Sequence, residues 1–245
     1  MKLPKFSFQN NSDLKSLYII RLMRELVNKL VMFYLPIYYF NLRFPFWDSI
    51  NWSLIKNGQT PFTALQIGIF NIAILHLLCY LASFVSSVWV ANRTLKRGTK
   101  HSFIMGQILY AIFTVLLFLS QKNPYWALLA VLFEGVQINY FWSSYYYSLS
   151  RNSDHRRVGS NLGTVNFLLN LVTMISPALG GVIISSLGYS NLFLLGLVLI
   201  VIALIFTILM DNVKIRDKIS WQEFATWMSE PGFRRLGLTF AGHYF

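Results

Sequence analysis

Acidic residues are scarce in this sequence: 9 of 245 residues are Asp or Glu, and all charged residues together make up only 12%. Hydrophobic residues make up 55%. A soluble domain carries about twice that charged fraction, so the composition excludes an ordinary soluble protein and indicates a membrane protein. The single cysteine, Cys79, cannot form an intrachain disulfide, so cysteine content says nothing about the compartment.

Long apolar runs divide the chain. Six of them are long enough to cross a bilayer as helices, because a crossing helix needs about 20 residues for a hydrocarbon core about 30 Å thick. They are far longer than the roughly 10 residues of a membrane barrel strand. We therefore predict an all-α membrane protein with a bundle over residues 17–210 and spans at 17–40, 62–90, 103–120, 125–149, 162–187 and 192–210.

Basic residues are distributed unevenly around these runs. Four precede or begin the first run, four lie in the turn at 91–101, three lie at 151–160 and five follow residue 210, all on one predicted side of the membrane. Only Arg43, Lys56 and Lys122 fall on the other side. Lys and Arg resist translocation, so we predict a cytoplasmic N-terminus in the cell membrane. This distribution accounts for the net charge of +12 and argues against nucleic-acid binding.

The two ends of the chain flank the predicted bundle. Residues 1–16 predict a short cytoplasmic lead. Residues 211–235 predict a cytoplasmic linker with an amphipathic helix, in which Trp221, Phe224, Ala225 and Met228 share one face. Residues 236–245 are apolar but too short to cross, so we expect them to be the start of a truncated seventh span and the chain to be a fragment.

Polar side chains inside the runs follow an order. Charges occur in the first and fourth runs, amides and hydroxyls in the second and fifth, and the third and sixth are almost entirely hydrocarbon. A charge at the bilayer centre costs about 3 kcal/mol on insertion scales. We expect the first and fourth spans to face a wet cavity and the third and sixth to face lipid. Matching roles in two three-helix units predict an inverted 3+3 repeat.

The polar residues of these spans are our candidates for a substrate path: Arg24, Asn28, Lys29, Glu134, Gln137, Asn139, Asn166 and Asn170. Lys29 and Glu134 lie at similar predicted depths. Glu134 pairing with Lys29 or Arg24 would form either a proton-sensitive switch or a static tie between helices, and the sequence does not choose between them. Glu25 is expected to pair within its own helix, with Arg21 and Lys29 at i±4.

Two motifs carry a family resemblance. Residues 91–101 resemble the signature Gly-x-x-x-Asp-(Arg/Lys)-x-Gly-x-(Arg/Lys) of the major facilitator superfamily of secondary transporters, with Leu95 in the acidic place. The matching positions, a conformational-gate loop in that family, are Ala91, Lys96, Gly98 and Lys100. The family's fifth-span Gly-Pro and Gly-Gly pattern is similar to Ser176-Pro177 and Gly180-Gly181. We predict Pro177, Gly180 and Gly181 to form a helix-packing motif.

The resemblance implies a function. It implies the N-terminal six-helix half of a secondary active transporter that moves a small solute by alternating access. The expected partners are the lipid bilayer, an unidentified small-molecule substrate, with proton coupling as an option, and a missing C-terminal six-helix half. It also implies that spans one and four line the substrate path and that spans two and five meet the other half.

Other classes of protein fit less well. No HExxH or nucleophile-elbow spacing indicates an enzyme, and the four histidines show no metal-ligand spacing. We therefore expect no enzymatic activity, no cofactor and no metal. A six-span scaffold or channel without carrier activity stays open as the alternative.

Overall fold

The computed structural model describes residues 12–152 and 158–211, and all regular structure in these ranges is helical. The apolar runs become helices because they combine hydrophobic residues with few breakers. A short 3-10 turn at Met32–Tyr34 separates the first two helices. The seven helices are α1 Ser12–Val31, α2 Leu35–Phe40, α3 Pro45–Lys56, α4 Ala64–Arg97, α5 Thr99–Ser120, α6 Tyr125–Asn152 and α7 Val158–Ile208.

Three helical stretches of the described chain are long and apolar enough to cross a membrane: Ala64–Arg97, Thr99–Ser120 and Val165–Ile208. We predicted six spans. The helices α1 and α6 occupy predicted spans but carry charged and amide side chains, which lower their mean apolarity. The third stretch, in α7, holds two predicted spans.

The helix α7 is interrupted at Gly188, whose φ of 80° lies in the left-handed region that favours glycine. Val165 near its start and Met210 after its end belong to one buried cluster with Leu17. Tyr189, next to Gly188, instead packs on Tyr38 with 5.1 Å between ring centroids. Leu17 and Tyr38 lie at opposite ends of the first predicted span, so the chain reverses at Gly188 and α7 consists of two antiparallel segments, 158–187 and 189–208.

The first predicted span, 17–40, is not one straight helix. It is broken at the 3-10 turn Met32–Tyr34, directly before Pro36 in the first turn of α2. Pro36 donates no backbone hydrogen bond and its ring clashes with the carbonyl four residues earlier, that of Met32, which explains a break at this point. The segment between the first two predicted spans, 41–61, contains the helix α3, which starts at Pro45.

The basic turn at 91–101 is mostly helical. The helix α4 continues through Arg97, and α5 starts at Thr99, so Gly98 alone separates them, with φ 94°. We predicted a loop here. Lys and Arg are good helix formers, which is why α4 extends through them, and only glycine takes this left-handed conformation without strain.

Close helix packing depends on small residues. A Cβ on Gly135 of α6 would collide with the carbonyl oxygen of Cys79 and lie 2.8 Å from the backbone nitrogen of Ser83, both on α4. A Cβ on Gly180 would lie 2.7 Å from the Tyr34 ring and 3.1 Å from the Leu30 carbonyl oxygen. Gly180 in the fifth predicted span therefore allows the first span to pack closely against it. The Tyr34 hydroxyl donates a hydrogen bond to the Pro177 carbonyl at this contact.

The expected lipid exposure of the third span does not match the packing. In its most apolar stretch, α5 is 50% buried, against 22% for α4. Gln107 and Thr114 of α5 are buried, and Thr114 donates to the carbonyl oxygen of Tyr110. The Thr114 hydroxyl is thus satisfied within its own helix, which lets this part of α5 pack inside the bundle.

Several predicted regions lie outside the described residues. These are most of the lead 1–16, the linker 211–235 with its amphipathic helix beyond Asp211, and the predicted seventh-span start 236–245. Their assignments stay predictions.

Candidate functional site

A cavity of about 390 Å³ lies between α1 and α6. Its volume is within the range of about 300–1,000 Å³ that suits a small ligand. Four of its ten lining residues are charged. The lining residues are Arg24, Glu25, Asn28, Lys29, Met32, Phe33, Glu134, Gln137, Ile138 and Trp142. The cavity thus joins five of the eight predicted substrate-path residues.

Arg24 is buried, with 3% of its surface exposed. Its guanidinium carbon lies 3.9 Å from the ring centroid of Phe141 and 5.2 Å from that of Tyr110. The aromatic faces attract the cation but provide no acceptor in the plane of its N–H groups. Its Nε and Nη1 have no hydrogen-bond partner among the described residues. Arg24 therefore presents free donors in a desolvated position.

Glu25 forms salt bridges with two basic residues of its own helix. Its carboxylate oxygens lie 3.6 Å from Arg21 Nη2 and 3.6 Å from Lys29 Nζ. These two contacts confirm the expected i±4 pairing. Glu134 forms no ion pair within 4 Å with Lys29 or Arg24, because Lys29 is held by Glu25 and Arg24 by the aromatic rings.

Glu134 and Gln137 project from α6 one turn apart. Gln137 is fully buried, and neither its Nε2 nor its Oε1 has a partner in the described parts of the chain. Glu134 also borders a second cavity of about 160 Å³, which is lined in part by Tyr39, His76 and Cys79. Glu134 therefore borders both cavities.

The amides Asn28 and Asn139 have different surroundings. Asn28 lines the cavity and its Oδ1 accepts from the Tyr110 hydroxyl at 2.7 Å. Asn139 lies outside it and donates to the Ser83 carbonyl oxygen and to Ser86 Oγ at 2.9 Å. Asn139 thus ties α6 to α4.

Asn166 and Asn170 do not line this cavity. Both are exposed on the first segment of α7, on one helical face with Thr173. The same segment exposes large apolar side chains such as Met174, at 72%, and Val182, at 64%. These two candidates therefore belong to an open face of the bundle.

The predicted gate residues lie at the junction of α4 and α5. Gly98 is buried and Lys96 is exposed, while Ala91 and Lys100 are half-buried. Basic side chains crowd this end: Arg97 Nη1 lies 3.3 Å from His101 Nε2. The predicted packing residues Pro177, Gly180 and Gly181 lie elsewhere, against Tyr34.

Sequence reasoning missed the aromatic partners of Arg24. Phe141 and Tyr110 lie in apolar runs typical of membrane spans, and nothing in the sequence indicates that their rings contact the Arg24 guanidinium. The signal available was indirect: a buried arginine in a span must find some compensating group.

Charged and amide side chains that surround a solute-sized cavity, within a bundle of long apolar helices, define a multi-pass helical membrane protein with a polar internal site. In such proteins intramembrane ionisable residues mark substrate or ion pathways. Within the described residues no group of three His, Cys, Asp or Glu side chains could hold a metal ion.

The profile of the Major Facilitator Superfamily matches residues 17–239, and the chain belongs to this superfamily. A solved structure described as a POT family transporter in complex with 5-aminolevulinic acid has a similar fold, with a TM-score of 0.59 and 16% identity. The match covers 95% of this chain and 47% of the other, so this chain spans about half the length of that transporter. No curated protein matches the sequence significantly. The resemblance drawn from the two motifs is confirmed.

Proposed function

We propose that this chain forms the N-terminal half of a secondary active transporter, which moves a small solute across the cell membrane by alternating access. The observation that carries the proposal is the cavity between α1 and α6, where buried Arg24 and Gln137 keep unpaired polar atoms. Unpaired buried polar groups cost stability, about 1–3 kcal/mol each, and a solute that pairs with them explains their presence. The fold likeness to a transporter described with a small bound molecule supports the same reading.

The proposed topology is six crossings with a cytoplasmic N-terminus, arranged as an inverted 3+3 repeat. The chain reversals at Gly98 and Gly188 support this topology, because each one joins two apolar helical segments that run in opposite directions. The charge distribution supports the sidedness: basic residues cluster where α4 meets α5. The proposed substrate path consists of the cavity residues together with Asn166 and Asn170 on the open face.

A second six-helix half is the proposed partner. The helix α4 exposes Leu77, Tyr80 and Val85 at 59–67%, and the first segment of α7 exposes Met174 and Val182. Exposed apolar faces in a transporter half can meet either lipid or another helical bundle. The exposed amides on α7 favour a protein or water-lined contact over lipid, since polar side chains in lipid are costly.

The test is solute uptake by cells that express the complete gene, with labelled amino acids, peptides, sugars and nucleosides. We expect saturable uptake of one class, lost in Gln137→Leu and kept in Lys122→Gln, an exposed residue outside the cavity. Uptake that rises linearly with concentration would favour a channel. Correctly inserted protein without any uptake would favour the scaffold alternative and contradict the proposal.

A further inference from the structure

Positive charge exceeds negative charge around the cavity between α1 and α6. The carboxylate of Glu25 is shared by two cations, at 3.6 Å from Arg21 Nη2 and 3.6 Å from Lys29 Nζ. It therefore balances only one of them. Arg24 and Glu134, which also line the cavity, add one charge of each sign. This group of side chains thus contains three cations and two carboxylates, an excess of one positive charge.

The hydrogen-bonding groups of the cavity show the same imbalance. Both oxygens of Glu25 contact a cation, and the Glu134 carboxylate accepts a hydrogen bond from the Cys79 thiol. Four buried side-chain atoms of the lining have no partner among the described residues: Nε and Nη1 of Arg24, and Nε2 and Oε1 of Gln137. Three of these four atoms are donor nitrogens. The unused capacity therefore suits a solute rich in acceptors.

Arg24 and Gln137 line the cavity from two different helices. The Arg24 guanidinium carbon lies 3.9 Å from the ring centroid of Phe141, and Phe141 follows Gln137 by one turn on the same face of α6. Both polar side chains are buried, with at most 3% of their surface exposed. Glu134 attracts Arg24 electrostatically but does not pair with its Nε or Nη1. A buried cation without a hydrogen-bonded partner is unfavourable, so an anion that binds there compensates it.

The rest of the lining favours an organic anion over an inorganic one. Its apolar side chains are Met32, Phe33, Ile138 and Trp142. Phe33 is 55% exposed, so a solute can cover it. Covering apolar side chains with an apolar group removes both from water, which is favourable. A solute with a charged end and an apolar body contacts both parts of the cavity.

We infer that the cavity takes a small monocarboxylate with an apolar body, whose carboxylate accepts hydrogen bonds from Arg24 and Gln137. This inference rests on the proposed transport function and gives it a substrate class. The single negative charge of the solute matches the excess of one positive charge around the cavity. Hydrogen bonds from a guanidinium to a carboxylate are charge-assisted and are therefore stronger than those to a neutral solute of the same shape.

The experiment measures binding of three labelled probes that share one ring and differ in charge: benzoate, benzamide and benzylammonium. The protein is the purified wild-type chain in nanodiscs of phosphatidylcholine, a lipid without net charge. We expect benzoate to bind at least about tenfold more tightly than benzamide, because only benzoate forms charge-assisted bonds. Benzylammonium should bind no better than benzamide. No binding of benzoate, or equal affinity for benzoate and benzamide, would overturn the inference.

Variants assign the contact. Arg24→Gln should abolish the preference for benzoate over benzamide, whereas Arg24→Lys, which keeps the charge, should retain a preference. Glu134→Gln should not weaken benzoate binding, because the inferred carboxylate contacts do not include Glu134. The matched control is Arg43→Gln, which removes an exposed arginine outside this cavity. An unchanged preference in a folded Arg24→Gln variant, or a tenfold loss of benzoate affinity in Glu134→Gln, would contradict the inference.

The substrate class and the proposed function can fail separately. If Gln137→Leu abolishes saturable uptake of a sugar or nucleoside while benzoate does not bind, the carrier stands and the monocarboxylate is wrong. Binding of benzoate without uptake of any solute would support the anion site and contradict transport. If no solute is taken up and no probe binds, both are wrong.

Discussion

Replacing Gln137 by leucine should stabilise the protein and abolish its function. The side chain is fully buried, and both amide atoms lack partners in the described residues. An unsatisfied buried amide costs about 1–3 kcal/mol, whereas leucine of similar volume leaves nothing unpaired. We expect Gln137→Leu to raise the free energy of unfolding by about 2 kcal/mol. For a chain of this length that is a rise of about 4–8 °C in Tm.

The assay is thermal unfolding of the purified protein in detergent, without added solute. The matched control is Asn71→Leu, which removes a buried amide that is satisfied. Asn71 accepts from Trp47 Nε1 at 2.8 Å and donates to the Leu42 carbonyl oxygen at 2.7 Å. Its loss leaves both groups unpaired and should lower stability by about 2 kcal/mol. A lower Tm for Gln137→Leu would refute the reasoning, because the amide would then have partners.

Three further substitutions test the helix packing and the distinction between residues that join helices and residues that line the cavity. Gly135→Ala should lower the free energy of unfolding by about 1–3 kcal/mol in the same thermal unfolding assay, because the added Cβ would collide with the α4 backbone. The control Gly106→Ala should lower it less, because the nearest atom to that Cβ is 3.3 Å away. Equal losses would contradict the packing. Asn139→Leu should lower Tm by several degrees, because the Asn139 side chain hydrogen-bonds α6 to α4, yet it should keep saturable uptake. Loss of uptake in a folded Asn139→Leu variant would instead assign Asn139 to the substrate path. Tyr34→Phe should cost about 1 kcal/mol through the lost bond to Pro177, and an unchanged melt would remove that contact.

The sequence predicts much of the helical architecture because apolar length and glycine punctuation are local signals. The runs at 103–120 and 125–149 correspond closely to α5 and α6, and the reversals fall at Gly98 and Gly188. The helix α3 lies between two predicted spans and was not predicted, although Pro45 in its first turn is a helix-start signal. The break at Met32–Tyr34 follows from Pro36.

In the candidate site, too, contacts within one helix could be predicted from the sequence, and contacts between helices could not. The ion pairs of Glu25 are local to one helix turn and follow from spacing alone. Whether Glu134 meets Lys29 depends on how two helices rotate against each other, which the sequence does not specify. The same rotation decides that Asn139 faces α4 and Asn28 faces the cavity.

The central claim is that polar residues of α1 and α6 face a shared cavity that is open to water. Labelling of a single thiol tests it most directly. The lone Cys79 is removed as Cys79→Ala, and Met32→Cys, which lines the cavity, is compared with Val198→Cys, which lies on the exposed apolar surface of α7. A thiol must ionise in water to react. We predict that a water-soluble maleimide labels the cysteine at 32 at least about tenfold faster than the one at 198. Equal or slower labelling at 32 would contradict the account.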